Sequence, residues 1–297
     1  MRTPRIFPIF AFTVILLFQQ FNTSAQSDSV ARKSYFKAGA NYLSNAVYSG
    51  RKDSAVVSYL SPTIGYYNKT GFYVDGSLSF LANSSDAGSI DEILLEAGYE
   101  FNINDNLAAG LYASKYFYNN SSYSVTSELQ GGIGGYLTYD AGFMNIGAGA
   151  DLLFSTGTDL TLNGNLSHGF SFGSDSKLWS VTPTAEVNGG TQSFYRAYYK
   201  NRKFNYTSTG TKGKGHNSVK GTSGSSKTIS FLHSNRFSIL DYELSVPVAY
   251  DAKAWGLFLT PTLAIPVNPS TYEVDGAPQT ETLSTSIFVK AGIYFKF

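Results

Sequence analysis

The stretch LSTSIFVKAGIYFKF, residues 283–297, alternates between two kinds of side chain. The odd positions carry Leu, Thr, Ile, Val, Ala, Ile, Phe and Phe, and the even positions are mostly polar or small. Successive side chains of a β-strand point to opposite faces of the sheet. The pattern therefore predicts a long strand with one apolar face and one mostly polar face.

Eleven further segments repeat this alternation at lower regularity. In one of them, Leu160, Leu162 and Leu166 oppose Asn163 and Asn165. Soluble strands usually have about 5 or 6 residues, whereas a tilted membrane strand needs roughly 9 to 11 residues within the hydrocarbon. The longer segments here favour a membrane barrel. We predict strands near 34–48, 54–68, 71–82, 90–102, 105–118, 122–139, 142–154, 158–172, 178–195, 236–250, 254–268 and 282–297.

The connections between these segments support the same architecture. Alternate links are short, such as 68–70 and 103–105, whereas the long links near 196–235 and 269–281 all join strands at the opposite end. Outer-membrane barrels have short turns on the periplasmic side and long loops outside. The sequence predicts an all-β protein, an antiparallel up-and-down transmembrane β-barrel of about twelve strands, with ten or fourteen as alternatives.

The N-terminus has the features of a secretory signal peptide. Arg2 and Arg5 precede a mostly apolar stretch, residues 7–18, which is too short for a comfortable bilayer span. Small residues at 23–25 offer a cleavage site. We predict a signal peptide over 1–25, a short lead over 26–33 and the barrel over 34–297; the alternative is an uncleaved anchor.

The predicted strand ends are rich in aromatic residues, which suggests one aromatic belt at each membrane interface. The alternative is that Tyr and Phe are simply good strand formers. The belt on the short-turn side would contain Tyr66, Tyr67, Phe72, Phe101, Phe143, Phe170, Trp179, Tyr250, Trp255 and Phe295. The opposite belt would contain Tyr48, Phe80, Tyr116, Phe117, Tyr118, Phe154 and Tyr195.

The chain resembles the outer-membrane β-barrel proteins of Gram-negative bacteria, porins among them. The resemblance rests on the signal peptide, the alternating strands and the C-terminal strand, which ends on an aromatic residue. It implies location in the outer membrane and assembly by the barrel-assembly machinery, with Phe295 and Phe297 forming the assembly signal. No motif in the sequence distinguishes a subfamily, and the fold supports many functions.

Charge is distributed unevenly along the chain. Nine of the 22 Lys and Arg residues, and none of the 21 Asp and Glu residues, lie between positions 196 and 236. We expect this segment to be an extracellular loop that contacts outer-membrane lipid, above all lipopolysaccharide, or that enters an acidic lumen; the alternative is a solvated loop. The nine basic residues are Arg196, Lys200, Arg202, Lys203, Lys212, Lys214, Lys220, Lys227 and Arg236.

The inward faces of the predicted strands collect acidic residues, with Lys37, Lys290 and Lys296 as the main basic residues. Inward glycines such as Gly98, Gly134 and Gly149 suggest room for water beside them. Charged rings line the conduction paths of pores, although such charges can also simply fill space. The candidate lumen-lining residues are Asp75, Glu96, Glu100, Glu128, Asp151, Glu186, Asp241, Glu243 and Lys290.

Motifs for catalysis are weak. The chain has no Cys and three isolated His, so we expect no metal site and no disulfide. No phosphate-binding loop appears, and we expect neither a cofactor nor a nucleic-acid partner. His168 lies on an outward face without the Ser two positions later that barrel phospholipases use.

The leading functional hypothesis is therefore a passive pore for small solutes with an acidic, cation-preferring lumen, and not an enzyme. The second is a non-conducting surface-binding or structural barrel whose basic loop contacts lipopolysaccharide or another anionic partner. The third is a lipid-modifying barrel enzyme.

Deletion of Phe297 tests the proposed assembly signal. We expect the truncated protein to cross the inner membrane normally and to form the heat-modifiable barrel more slowly, because the terminal aromatic of the last strand is missing. Pulse-chase labelling with gel-mobility readout measures both steps. Assembly at the wild-type rate would show that the terminal aromatic is not the signal.

Overall fold

The computed structural model describes residues 33–83, 87–120, 122–174, 177–199, 229–232 and 236–297, the segment 229–232 by its backbone alone. Strands dominate, with one short helix. The elements are β1 (Tyr35–Leu43), β2 (Val47–Tyr48), β3 (Arg51–Lys52), β4 (Tyr59–Tyr67), β5 (Phe72–Leu81), β6 (Ile90–Asn102), β7 (Leu107–Tyr118), β8 (Gly131–Asp140), β9 (Asn145–Phe154), β10 (Thr158–Ser167), β11 (Phe170–Ser174), β12 (Lys177–Val181), β13 (Thr184–Gly190), α1 (Ser193–Tyr199), β14 (Ile229–Leu232), β15 (Ser238–Ser245), β16 (Val248–Ala252), β17 (Trp255–Pro266), β18 (Thr271–Val274), β19 (Ala277–Thr280) and β20 (Ser286–Lys296).

Twelve antiparallel strands form a closed barrel, which confirms the predicted architecture. β1 pairs with β4 on one side and with β20 on the other, so that the first and last strands close the wall. Nine strands are unbroken, and three consist of two segments each, β10 with β11, β12 with β13 and β15 with β16. Outside the wall, β2 pairs with β3, and β14, β18 and β19 form a small sheet in the long loops.

The three interrupted strands bend at neighbouring positions. Two of the breaks contain proline, Pro183 and Pro247, which cannot donate to a β-ladder. The wall nevertheless stays continuous, because the His168 amide donates to the Pro183 carbonyl at 3.2 Å and the Thr182 amide to the Pro247 carbonyl at 2.9 Å.

The two faces of the wall have opposite chemistry. On β10, Leu160, Leu162 and Leu166 are exposed on the outside, whereas Asn163 and Asn165 are buried inside. The same outward display of Leu, Ile, Val and aromatic side chains recurs on the other barrel strands. An apolar surface of this extent needs a covering medium, and in a barrel wall that medium is the lipid bilayer. No helix in the described segments has the length and apolar character needed to cross a membrane.

Several predicted strand boundaries were wrong at the end with the long connections. The strand predicted at 122–139 begins only at Gly131, and the one predicted at 178–195 ends at Gly190 before α1. The sequence between β7 and β8 instead forms turns, in which the Leu129 amide bonds the Thr126 carbonyl at 2.8 Å. Alternation misled the prediction because these loops also bury apolar residues, Val125 and Leu129 among them.

The aromatic belts are only partly as predicted. On the short-turn side most members are exposed outward, but Tyr67 lies inside, stacked on Tyr73 with ring centroids 5.8 Å apart. On the opposite side, Phe117 and Phe154 are exposed outward. For four other residues the prediction was wrong, because their side chains pack inside the end of the barrel: Tyr48, Tyr116, Tyr118 and Tyr195.

A charge on the outer face should destabilise the barrel more than a charge inside it. Leu152 is exposed on the outer face of β9, two residues from the end of the strand, so Leu152→Arg should cost up to the roughly 2–4 kcal/mol that applies at the bilayer midplane. The matched variant Asn163→Arg places the same charge inside, where it remains near the acidic interior. Urea unfolding in lipid vesicles measures both changes. Equal losses of stability at the two positions would contradict the assignment of faces.

Candidate functional site: the barrel interior and its outer mouth

The structure places most of the predicted lumen-lining residues at inward positions of the wall. They come from β5, β6, β9, β13, β15 and β20, so that they lie on several sides of the interior. Most are shielded from bulk solvent, and Glu100 and Glu243 are partly exposed within the interior. These residues are Asp75, Glu96, Glu100, Asp151, Glu186, Asp241, Glu243 and Lys290.

Glu128 is the exception. We expected it on the inward face of a strand, but it lies in the turn between β7 and β8, beyond the wall. The strand prediction extended about nine residues too far, because the loop continues the alternation of the strand. Glu128 therefore belongs to the mouth of the barrel.

Tyrosines satisfy many of the interior carboxylates. The Tyr73 hydroxyl donates to Glu96 at 2.7 Å, and the Tyr136 hydroxyl donates to Glu100 at 2.9 Å. In the same way Tyr67 donates to Asp75, at 3.1 Å, and Tyr112 donates to Asp151. Such charge-assisted bonds hold the rings across the interior. These pairs could not be predicted from the sequence, since the two partners of each pair lie on different strands.

The inward glycines accommodate these side chains. A Cβ atom at Gly98 would lie 2.5 Å from the Tyr73 ring, and one at Gly134 would lie 2.5 Å from the Tyr112 ring. At Gly149 the same space is taken by the Asn163 amide, 2.8 Å from the Cβ position. The expectation that these glycines leave room for water was therefore wrong. The interior is narrower than the residue types alone suggested.

An aromatic cluster fills the end of the barrel with the long loops, which is the extracellular end in this architecture. α1 supplies four of its members, and the β2–β3 hairpin, the β7–β8 loop and the β18–β19 sheet supply others. We call this cluster the mouth plug. It consists of Tyr48, Leu94, Tyr116, Val125, Leu129, Leu153, Phe194, Tyr195, Tyr198, Tyr199 and Tyr272, all buried.

The helix α1 is held in the mouth by a side chain of the wall. Asp159 on β10 accepts hydrogen bonds from the amides of Ser193, at 2.7 Å, and Phe194, at 2.8 Å. These amides belong to the first turn of α1, which has no intrahelical acceptors for them. Thr191 also donates to Asp159, at 2.6 Å. The role of Asp159 could not be predicted because the helix itself was not.

Arg51 fastens the β2–β3 hairpin to the start of β15 and to the loop after β17. Its guanidinium donates to the carbonyls of Leu240 at 2.6 Å and of Val267 and Asn268 at 3.1 Å each, and lies 3.9 Å from the Glu281 carboxylate. Burial lowers the pKa of Arg51, and Glu281 opposes that shift. The side chain is 2% exposed. Arg51 therefore connects loops that are distant in sequence.

The remaining predictions fall partly outside the described residues. Arg196 is half-buried on α1 and Arg236 is exposed before β15. Seven of the predicted basic residues, as well as His216 and His233, lie outside the described residues: Lys200, Arg202, Lys203, Lys212, Lys214, Lys220 and Lys227.

His168 lies on the outer face near the short-turn end of the wall. Its Nδ1 atom is 2.5 Å from the Phe143 carbonyl oxygen, and its ring contacts Phe170 edge-on with centroids 4.5 Å apart. These contacts are those of a side chain at the membrane interface. Among the described residues, no group of three His, Cys, Asp or Glu side chains could hold a metal ion.

These features define the class of protein. A closed antiparallel wall, an apolar outer surface and a polar, charged interior are the architecture of a transmembrane β-barrel. The molecule is therefore a transmembrane β-barrel protein, the architecture found in bacterial outer membranes.

Comparison with known proteins gives similar architectures at very low sequence identity. The chain is similar to a KdgM porin at 11% identity and a TM-score of 0.42, over 89% of this chain and 99% of that one. It is similar to a NanC porin at 11% identity and a TM-score of 0.45, over 88% of this chain and 100% of that one. It is also similar to LpxR from Salmonella typhimurium at 10% identity and a TM-score of 0.44, over 88% of this chain and 100% of that one. No protein-family model and no curated protein matches the sequence.

Removing the Arg51 side chain should loosen the mouth. Arg51→Ala removes the donor to the carbonyls of Leu240, Val267 and Asn268 and the ion-pair partner of Glu281, and loss of one partner of a buried ion pair costs about 3–5 kcal/mol. We expect faster amide hydrogen exchange in residues 47–52 and 267–268, with the wall strands unchanged. Arg51→Lys serves as control and should give an intermediate effect. Unchanged exchange in both segments would mean that the hairpin is held by other contacts.

Proposed function

We propose that the protein is a cation-preferring pore whose extracellular mouth is closed by the mouth plug. The observation that carries the proposal is the chemistry of the interior, which is lined by carboxylates, amides and hydroxyls where a folded domain would have an apolar core. Water is the natural medium for such a surface, since buried polar groups need hydrogen-bonding partners.

The preference for cations follows from the balance of charge at inward positions. Carboxylates are contributed by β5, β6, β9, β13 and β15, whereas Lys37, Lys290 and Lys296 are confined to β1 and β20. Some carboxylate oxygens, including Asp75 Oδ1 and Glu96 Oε2, are buried and have no protein partner. Rings of acidic side chains select cations in channels.

The position of the mouth plug at the outer end of the barrel determines how the pore would open and close. The mouth plug is built mainly from loops and one short helix, packed against Leu94, Tyr116 and Leu153 of the wall strands. The anchors Asp159 and Arg51 act on α1 and on the β2–β3 hairpin separately. Loops that close a site can open by rearranging a few such contacts, whereas the wall cannot open without breaking its ladder.

A second candidate function is a non-conducting surface barrel. The observation in its favour is the plug itself, which fills the outer end of the lumen with buried aromatic side chains. In this case the basic segment from 196 to 236 would bind lipopolysaccharide phosphates through charge-assisted hydrogen bonds. A barrel lipid hydrolase has less support, because the described neighbours of His168 are Phe143 and Phe170.

Conductance across a planar lipid bilayer distinguishes the two functions. Replacement of residues 192–235 by a short Gly-Ser turn removes α1 and should raise single-channel conductance several-fold, with a reversal potential that favours cations. The control deletion of 207–227 keeps α1 and should leave conductance near the wild-type level. A silent bilayer with the 192–235 variant, together with lipopolysaccharide binding by the wild type, would favour the surface barrel.

A further inference from the structure

Lys115 lies on the outer surface of the wall, where the side chains are mainly apolar. It is exposed and follows the outward alternation of β7, on the same face as Leu111 and Phe117, which are 63% and 49% exposed. Among the described outward positions of the twelve wall strands, the other charged residue is Lys177, which is the first residue of β12. Lys115 is therefore a charge within the apolar outer wall and not at the end of a strand.

No described side chain compensates the charge of Lys115. Its neighbours in the antiparallel register are Leu95 on β6 and Gly131 on β8, neither of which has a side-chain acceptor. The ion pairs found within the described residues do not involve Lys115. The carboxylates of the adjacent strand β6, such as Glu96, are buried on the other side of the wall. An anion that pairs with Lys115 therefore comes from the surroundings of the barrel.

The Lys115 ammonium is directed toward the extracellular end of the wall. β7 runs from Leu107 to Tyr118, so that Lys115 lies three residues before its extracellular end, which is about 8 Å along the barrel axis for a tilted strand. The Lys115 Nζ atom lies 5.5 Å from the centroid of the Phe117 ring, two residues closer to that end. A lysine placed in this way lays its apolar stem along the wall and brings its charge to the membrane interface.

The medium around Lys115 is lipid. Leu95 and Ile133, on the two adjacent strands, are 50% and 48% exposed on the same outer face. Outward apolar residues of a barrel wall contact acyl chains, and outward aromatic residues such as Phe117 mark the level of the headgroups. Phosphate is the anionic group that membrane lipids carry at this level. Lysine binds phosphate as a point charge with charge-assisted hydrogen bonds.

We propose that Lys115 binds a phosphate group of a lipid in the outer leaflet, which is lipopolysaccharide in a bacterial outer membrane. The contact holds the lipid against the outer wall beside β6, β7 and β8. The inference goes beyond the proposed function, because the site lies on the opposite side of the wall from the lumen and does not require conduction. It is also separate from the basic segment 196–236, which connects β13 to β15.

A thermodynamic cycle between the lysine and the lipid phosphates tests the site. The full-length refolded barrel in detergent is titrated with diphosphorylated lipid A and with lipid A from which both phosphates have been removed, and native mass spectrometry measures the bound lipid. Lys115→Met keeps a long side chain on the lipid face. It should weaken binding of diphosphorylated lipid A about fivefold, which is roughly the effect of one lysine beside an anionic lipid surface. The wild type and Lys115→Met should bind the lipid without phosphates equally.

Lys177→Met is the matched control, because it removes an outward lysine from the opposite end of the wall. Lys177 begins a strand and does not lie among the apolar residues that contact acyl chains, so this variant should bind diphosphorylated lipid A as the wild type does. Lys115→Arg keeps the positive charge and should retain the affinity. Heat-modifiable mobility on gels verifies that each variant is folded.

Three outcomes would overturn the proposal. The first is that the wild type and Lys115→Met bind diphosphorylated lipid A equally or not at all, and the second is that Lys177→Met loses as much affinity as Lys115→Met. The third is that Lys115→Met weakens binding of both lipids to the same extent, since the contact would then be apolar packing and not recognition of phosphate. None of these outcomes depends on whether the barrel conducts ions, so that the site and the pore can fail separately.

Discussion

Closure of the β1–β20 ladder is the constraint on which the rest of the molecule depends. In hydrocarbon, an unpaired backbone amide or carbonyl has no water to bond, so that a sheet can cross a membrane only without edges. The first and last strands pair over seven residues from Lys37 to Leu43, and two further bonds join Phe36 and Phe297 at 3.1 and 2.9 Å. The C-terminal residue of the chain thus takes part in sealing the wall.

Because lipid covers the outside of the closed wall, the polar side chains lie inside. There they need hydrogen-bonding partners, and no apolar core fills the space. The barrel does this largely with tyrosine. An aromatic ring fills volume, and its hydroxyl reaches a carboxylate on another strand, as Tyr73 does with Glu96. Glycine at the facing position provides the space, as Gly98 does for Tyr73.

The mouth follows different rules from the wall. Its helix and loops are held by a few single side chains that bond them to one another and to the ends of the wall strands. Asp159 holds the first turn of α1, and Arg51 joins the β2–β3 hairpin to one carbonyl of β15 and to two of the loop after β17. A pore with a rigid wall and a mouth of this kind would be regulated at the mouth. Loops are also the regions where function most often varies within a fold.

The sequence alone was sufficient to predict the barrel, its approximate number of strands and which side chains face outward, such as Leu160, or inward, such as Asn163. The reason is that alternation with a period of two is a local property, which lipid on one side of the wall enforces along each strand. It was insufficient at the mouth, where Tyr48, Tyr116 and Tyr195 keep strand-like spacing yet pack inside. Only the tertiary structure decided which tyrosine bonds which carboxylate, that α1 occupies the lumen end, and that Glu186 meets Glu243. These contacts join strands and loops far apart in the chain, and their pairing depends on register and shear of the closed wall, which no local pattern of residues encodes.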